Sequence, residues 1–437
     1  MSRIGVVGAG YVGLTTGACL AHLGHDVACV ETNPTRLAAL RAGTSPILEP
    51  GLEDLLREGL GAGRLRFTDC AAEVLGDREF VFLCLPTPQD ADGRADLRFL
   101  HTAVEQIRGV LPAGAVVITK STVPVGSAES VGEWLGRGDV HVVSNPEFLR
   151  EGSAVRDFLH PDRVVIGTRD AAVGDRVAML FREAAGRVIV CDPVSAETIK
   201  YAANSYLAAR LSFANALAAV CEAVGADVSV VMDGVGADAR IGPQFLQPGP
   251  GWGGSCLPKD TAALIATARD SGYDFALLRA VIEMNQEQHR RIVDKVRRAA
   301  GETLADARIG VLGLAFKAHT DDLRDSPALT IVGMLRAAGA RIRAFDPAVR
   351  PGHAGATAGH APAPGSPLAD LTLCDSALGA CDGADVVFVA TEWPEFAALD
   401  PAAVARVVAR RSVVDARNVL DPARWRATGF TYVGVGR

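Results

Sequence analysis

The sequence predicts an α/β protein in which two doubly wound parallel sheets flank a central helical region. Three observations predict it. Short apolar strands alternate with helical stretches from the N-terminus to about Ser144, and the alternation resumes after Gly301. Between these halves, Asp192-Pro193 opens a long alanine-rich stretch with no breaker before Gly225. A glycine fingerprint joins the first strand to the first helix, which makes the first half Rossmann-like. The segments read as 1–194 for the dinucleotide-binding domain, 195–300 for a central helical region with the cysteine loop, and 301–437 for a second Rossmann-like domain.

Composition bounds the reading. A chain of 437 residues is too long for one ordinary core. No stretch reads as long enough to span a membrane, and Met1-Ser2-Arg3-Ile4-Gly5-Val6-Val7 runs straight into a strand without a signal peptide. The expected location is the cytoplasm, with no membrane partner. The nine cysteines form no C-x-x-C pair, and an odd count argues for reduced thiols. A net charge of −7 argues against a nucleic-acid partner, though not against a small anionic ligand at a helix N-terminus.

Taken in order, Ile4–Val7 is a strand, followed at once by Gly8-Ala9-Gly10-Tyr11-Val12-Gly13 and a helix over Leu14–Leu23. A second strand, Asp26–Val30, ends at Glu31. The glycines allow a tight turn and the approach of a pyrophosphate to the helix N-terminus, and Glu31 is placed to take ribose hydroxyls, which favours NAD over NADP. Arg36 nearby could instead meet a 2′-phosphate. Strands follow at Phe80–Cys84, Val116–Thr119 and His141–Ser144. Their ends carry Pro86-Thr87-Pro88, Lys120-Ser121-Thr122-Val123-Pro124 and Asn145-Pro146-Glu147-Phe148-Leu149-Arg150-Glu151, and ligands bind beyond such ends. Prolines there are also ordinary turn punctuation, and acidic residues are commonly solvated.

On the long helix, Lys200 and Asn204 are four apart and share a face, either toward solvent or toward a site. Residues 249–260, Gly-Pro-Gly-Trp-Gly-Gly-Ser-Cys-Leu-Pro-Lys-Asp, form a shaped loop around Cys256. The cation of Lys259 favours a thiolate, the form that attacks electrophiles, although a purely structural glycine loop is the competing reading. One helical block is expected from Thr261 to about Ala300. In the last segment, strands read at Arg308–Leu312, Arg341–Phe345, Ala384–Val389 and Ser412–Asp415, and the turn Gly313–Lys317 lacks the full dinucleotide fingerprint. Residues 348–370, rich in Pro, Gly and Ala, read as a loop in which His353 and His360 are solvated, and no metal-ligand cluster is found in the sequence.

These residues together resemble the UDP-glucose/GDP-mannose dehydrogenase family over essentially the full length. The matching motifs are Gly8-x-Gly10-x-x-Gly13, Lys120–Pro124, Asn145-Pro146-Glu147-Phe148-Leu149-x-Glu151-Gly152, and Lys200-x-x-x-Asn204. They continue through Arg240-Ile241-Gly242, Gly253-Gly254-Ser255-Cys256-x-Pro258-Lys259-Asp260, and Gly313-x-Ala315-Phe316-Lys317 with Thr320–Pro327. Thr391–Phe396 and Ala416–Asp421 lean toward UDP-glucose as the sugar nucleotide. Glu31 stands where the family more often has Asp, and Pro-x-Trp replaces its commoner aromatic pattern in the cysteine loop.

The resemblance implies oxidation of a sugar nucleotide's C6 alcohol to a carboxylate with two NAD⁺. It makes Cys256 the nucleophile, Lys200 and Asn204 the groups that stabilise charge on the C6 oxygen, and Glu147 the base for thioester hydrolysis. Thr122 and Asp260 place water and support Lys200. Gly8, Gly10, Tyr11, Val12, Gly13, Glu31, Arg36, Thr87, Ser121, Thr122, Glu151, Lys259 and Arg324 fall at the NAD site. Phe148, Leu149, Arg240, Phe245, Gly253, Phe316, Lys317 and Arg417, with Lys200 and Asn204, hold the sugar nucleotide, Arg240 being supplied by a neighbouring subunit. The long helix is then the core of a homodimer or higher homo-oligomer. GDP-mannose or an N-acetylated UDP-hexose remains open as substrate, as does a non-catalytic sensor that kept the fold.

Overall fold

The computed structural model describes residues 1–90, 92–184, 186–349, 368 and 371–437. Most of the stretch 348–370, including His353 and His360, lies outside the described residues. The chain packs as two units: Met1–Ala203 with Ala262–Tyr273, and Asn204–Thr261 with Asp274–Arg437.

In the first unit, strands β1 (Arg3–Val7), β2 (Asp26–Val30), β3 (Leu65–Thr68), β4 (Phe80–Leu83), β5 (Val116–Thr119), β6 (His141–Ser144), β7 (Arg163–Gly167) and β8 (Arg187–Cys191) form one sheet. Its order is β3-β2-β1-β4-β5-β6-β7-β8. β1 lies between β2 and β4, with Val7 opposite both Val30 and Leu83. The chain reverses its direction of winding there, so a crevice opens beyond the carboxyl ends of these strands. Both faces are covered, which is why the strands read as continuous apolar runs. Ile4, Val6, Val27, Phe82 and Ile118 bury toward one layer of helices, and Val30, Val81, Leu83 and Val117 toward the other.

β3, β7 and β8 were not among the expected strands. β6 and β7 pair antiparallel through Ser144 and Gly167, so the strand–helix alternation that exposes the other strands fails at this step. β8 is an edge strand whose Val188 and Val190 are exposed.

The second unit holds β9 (Arg308–Leu312), β10 (Arg341–Phe345), β11 (Thr372–Leu373), β12 (Val386–Val389), β13 (Ser412–Asp415) and β14 (Thr431–Val433). All are parallel, in the order β11-β10-β9-β12-β13-β14. The short strands β11 and β14 escaped the sequence reading.

The long helix spans Pro193–Val224, capped by Asp192, which accepts the Ser195 amide at 2.9 Å, and ended by Gly225 at φ +76°. Contrary to the expectation from sequence, it is long and apolar enough to cross a membrane by length and composition. Its buried residues nonetheless include Glu197, Lys200, Asn204 and Asn215, polar groups with partners inside the protein. The helical block expected at 261–300 is two helices, Leu257–Asp270 and Ala276–Ala299, with Gly272 at φ +78° between them. The first begins immediately after Cys256, so Lys259 and Asp260 belong to its opening turn.

Candidate active site

In the first unit the fingerprint closes around its glycines. A Cβ at Gly13 would stand 1.8 Å from the Gly8 carbonyl oxygen, so helix and strand touch at backbone distance. A Cβ at Gly10 would meet nothing within 4 Å, which leaves room for a ligand at the N-terminus of the helix Tyr11–His22. Glu31, at the end of β2, is buried; it accepts the Asn33 amide at 2.8 Å and lies 3.7 Å from Arg36 Nη1. The Nε of Arg36 is buried without a hydrogen-bond partner among the described residues. An acceptor beside an unsatisfied donor matches a ribose diol, so these residues fit the adenosine end of NAD.

Thr87 donates to the Thr122 carbonyl at 2.8 Å, and the Ser121 hydroxyl accepts the Leu85 amide at 2.8 Å. The structure thus brings Thr87, Ser121 and Thr122 together at the ends of β4 and β5. The side chains of Thr87 and Ser121 lock the two turns to each other.

Beyond β6, Glu147 and Lys200 are both buried and paired at 2.6 Å. Lys200 Nζ also donates to the Glu147 carbonyl at 2.7 Å, and the other carboxylate oxygen accepts the Leu149 amide at 2.7 Å. Burial pushes the Glu147 carboxyl up, but the Lys200 ammonium, the Leu149 amide and Lys120 together outweigh it and hold Glu147 below the usual carboxylate range. The Phe148 ring carries the Arg163 guanidinium 3.6 Å from its centroid and the Lys200 ammonium at 5.5 Å. Arg163 escaped the sequence reading, and Lys120 enters it only as part of its motif, without a role. Lys120 is buried, donates to Asn145 Oδ1 at 3.1 Å, and has its pKa pushed down by burial.

In the second unit the loop before Cys256 is clamped from both sides. Asn215 accepts the Gly249 amide at 2.8 Å, and Gln288 donates to the Gly249 carbonyl at 2.6 Å. Asn285 grips the Trp252 backbone through both its amide and its carbonyl, and the Trp252 indole donates to Ser212 at 2.8 Å. Gly253 is obligatory: a Cβ there would lie 2.0 Å from the Asp325 carbonyl oxygen. Gly254, at φ +81°, presses its face on the Phe316 ring, 2.8 Å from where a Cβ would stand. Cys256 is half-buried, with Ser255 Oγ 3.6 Å from its sulfur. Asp260 is fully buried; it accepts Asn204 Nδ2 at 2.6 Å and Lys259 Nζ at 2.8 Å.

The substrate-side residues divide. Arg417 donates to the carbonyls of Phe316 and Ala390 at 2.9 and 3.1 Å and pairs with Glu392 at 3.1 Å, while Lys317 Nζ sits 5.3 Å from the Phe316 ring centroid. These three gather at the ends of β9, β12 and β13. Arg240 stands apart from them, exposed and paired with Asp238 of its own turn at 2.6 Å. Phe245 holds a positive φ of 60° in the turn that follows. Arg324 is exposed and forks onto Asp322.

The second sheet does not repeat the dinucleotide site. A Cβ at Gly313 would lie 1.8 Å from Thr391 Oγ1. Asp346, at the end of β10 where the first sheet has Glu31, spends its carboxylate on the amides of Leu314, Ala315 and Ala348 at 2.7 to 3.0 Å.

A Rossmann-like domain with a fitted NAD crevice, a second sheet that lacks the fingerprint and a glycine-framed cysteine define an NAD-dependent dehydrogenase. The comparisons with known proteins narrow the class. The NAD binding domain of the UDP-glucose/GDP-mannose dehydrogenase family matches residues 2–185, its central domain 194–287 and its UDP binding domain 310–422. The chain is 43% identical over 446 residues to UDP-glucose 6-dehydrogenase of Pseudomonas aeruginosa, covering 100% of this chain and 97% of that one. It is 40% identical to UDP-glucose 6-dehydrogenase of Rhizobium meliloti, covering 100% and 99%. Among solved structures, a UDP-glucose dehydrogenase from Pyrobaculum islandicum superposes with a TM-score of 0.88 at 36% identity, covering 100% of this chain and 98% of that one. A UDP-D-ManNAc dehydrogenase from Pyrococcus horikoshii gives 0.86 at 28% identity, covering 100% and 99%. The chain belongs to the UDP-glucose/GDP-mannose dehydrogenase family.

Proposed function

We propose that this enzyme oxidises UDP-glucose at C6 to UDP-glucuronate, in the cytoplasm, through a covalent bond to Cys256. The observation that carries the reading is the long helix. It presents Lys200 and Asn204 one turn apart, and each is already bound to a buried acid, Glu147 and Asp260 respectively. Such a pair of donors suits an oxygen that gains charge as hydride leaves its carbon.

Bound NAD⁺ supplies the hydride acceptor, one molecule for each of two oxidations. Lys200 and Asn204 hydrogen-bond the C6 oxygen as the alcohol becomes an aldehyde. The aldehyde carbon lacks a hydroxyl through which to lose a second hydride, so the Cys256 thiolate adds to it, the oxygen takes a proton from solvent, and a thiohemiacetal forms. Loss of the second hydride and the hydroxyl proton leaves a thioester. Water attacks that carbonyl, Glu147 takes the proton from the water, and the Cys256 thiolate departs as the carboxylate forms. Thr122 and Asp260 serve this step by placing water and supporting Lys200. Phe148, Leu149, Phe245, Gly253, Phe316, Lys317 and Arg417 hold the sugar nucleotide, while Glu151, Lys259 and Arg324 lie toward NAD. Arg240, exposed in its own chain, is supplied to a neighbouring copy. The working division is 1–194 for NAD, 195–300 for dimerisation and the cysteine, and 301–437 for the nucleotide.

The test is NADH formation with UDP-glucose, GDP-mannose and N-acetylated UDP-hexoses, each with NAD⁺ and NADP⁺. The expected result is UDP-glucose as best substrate, two NADH per sugar, and a preference for NAD⁺ on the order of a hundredfold, because Glu31 repels a 2′-phosphate. One NADH per sugar, a faster rate with another sugar, or equal use of NADP⁺ each overturns the corresponding part. The runner-up substrate with a finding behind it is an N-acetylated UDP-hexose, since the Pyrococcus horikoshii enzyme shares the fold.

A further inference from the structure

Glu49 belongs to no motif singled out above, yet it is 6% exposed and its carboxylate meets three donors from two distant segments. One oxygen accepts the Tyr11 hydroxyl and, at 2.7 Å, the Gly152 amide. The other accepts the Ala154 amide at 2.8 Å. The Gly152 amide also lies 3.1 Å from the Tyr11 hydroxyl oxygen, which makes a closed triangle of tyrosine, carboxylate and main chain. All three donors are uncharged. A carboxylate buried among neutral groups is costly unless hydrogen bonds satisfy it, so this one persists where two acceptor oxygens and no donor are required.

Its two ends have different tasks. Tyr11 is the first residue of the helix that meets the dinucleotide, directly after Gly10. Gly152 and Ala154 close the segment that leaves β6 and carries Glu147 and Glu151. Elsewhere that segment is held from within: Leu149 caps Glu147 at 2.7 Å, and Arg150 pairs with Asp157 at 2.5 Å.

We propose that Glu49 is a positioning residue that ties the dinucleotide turn to the segment carrying Glu147, so that cofactor binding orders the hydrolytic base. A ligand seated at Gly10 fixes the start of the helix and with it the Tyr11 hydroxyl. Through Glu49 the same ligand then fixes the amides of Gly152 and Ala154. The coupling is a difference in free energy between two arrangements of one hydrogen-bonded triangle, and the triangle is a physical connection between both sites. The inference rests on NAD occupying the Gly8–Gly13 turn and on the role of Glu147 given above.

Tyr11→Phe removes one hydroxyl and leaves the packing, and Glu49→Gln places an amide group against the main-chain donors. The experiment measures NADH affinity by fluorescence titration and, by hydrogen-exchange mass spectrometry, the protection of residues 149–158 with and without NADH. In the wild type NADH slows exchange across 149–158. In Tyr11→Phe, at NADH concentrations that its own titration shows to be saturating, the slowing at 149–158 is lost. Folded Glu49→Gln shows the same loss, and Tyr11→Phe alone decides if that variant does not fold. NADH-dependent protection that persists in Tyr11→Phe, or NADH binding abolished by it, overturns the proposal. Neither measurement uses a sugar nucleotide, so the outcome is independent of which sugar the enzyme oxidises.

Discussion

At the scale of single residues, the Glu147–Lys200 pair decides what a substitution can teach. The two charges are buried and 2.6 Å apart, and stripping one from such a pair typically costs about 3–5 kcal/mol because the other is left uncompensated. Glu147→Ala would therefore confuse stability with chemistry. Glu147→Gln also removes the charge, but it keeps the volume and a carbonyl oxygen against the Lys200 ammonium, and a Tm measured beside the kinetics separates lost stability from lost basicity. Under the proposed mechanism both hydride transfers survive and the hydrolysis slows by roughly 10²–10⁴-fold. The expected trace is a burst of about two NADH per site followed by slow turnover. Intact-protein mass spectrometry after an acid quench then shows the sugar-nucleotide adduct, and adding Cys256→Ala removes it. Wild-type turnover, or absence of the burst, counts against Glu147 as the hydrolytic base.

At the scale of elements, the cysteine loop is built by partners far away in sequence. His289, on the helix Ala276–Ala299, lies against Gly251, and its Nε2 is buried with no hydrogen-bond partner among the described residues. Burial, aided by the Arg290 charge, lowers its pKa from 6.5 to about 4. The unfolded chain therefore binds a proton here between pH 6.5 and 4 that the folded chain refuses, and stability falls as pH falls through that window. His289→Gln, neutral throughout, should show a shallower decline of Tm from pH 6.5 to pH 4 than the wild type. Identical slopes would assign the acid sensitivity to other groups. The same loop shows what the sequence could reveal. Gly8, Gly10, Gly13 and Glu31 are legible because one turn and one strand contain the whole device. Asn285 and Gln288 are not, because they act on Trp252 and Gly249 from 33 and 39 residues away, with no local pattern to mark them. Glu49 is hidden for the same reason, 103 residues before Gly152. The strands β7 and β8 were missed where an antiparallel pairing interrupts the alternation on which the reading depends.

At the scale of the whole molecule, the long helix exposes Tyr206, Phe213 and Val220, which are 65%, 55% and 53% accessible and recur at every seventh position. A seven-residue repeat of apolar groups forms one stripe along a helix, the geometry by which two helices pack. Under the proposed dimer this stripe is the contact. Phe213→Asp should then shift the protein from dimer to monomer in light scattering, and it should reduce activity by withholding Arg240 from its neighbour. A variant that remained dimeric and fully active would place the interface elsewhere.

In the second sheet Ala315 stands where the first has Gly10, and Asp346 spends its carboxylate on main-chain amides, so among the described residues the turn after β1 is the berth that fits NAD. The two-step oxidation proposed above then uses that berth twice. Spent cofactor has to depart and fresh cofactor arrive while the half-oxidised sugar waits. The lifetime of the sugar on the enzyme must outlast this exchange, and a bond to Cys256 sets that lifetime by chemistry where binding alone would set it by diffusion. In the proposed mechanism, turnover becomes a race between cofactor exchange and sugar escape, and the bond to Cys256 decides it.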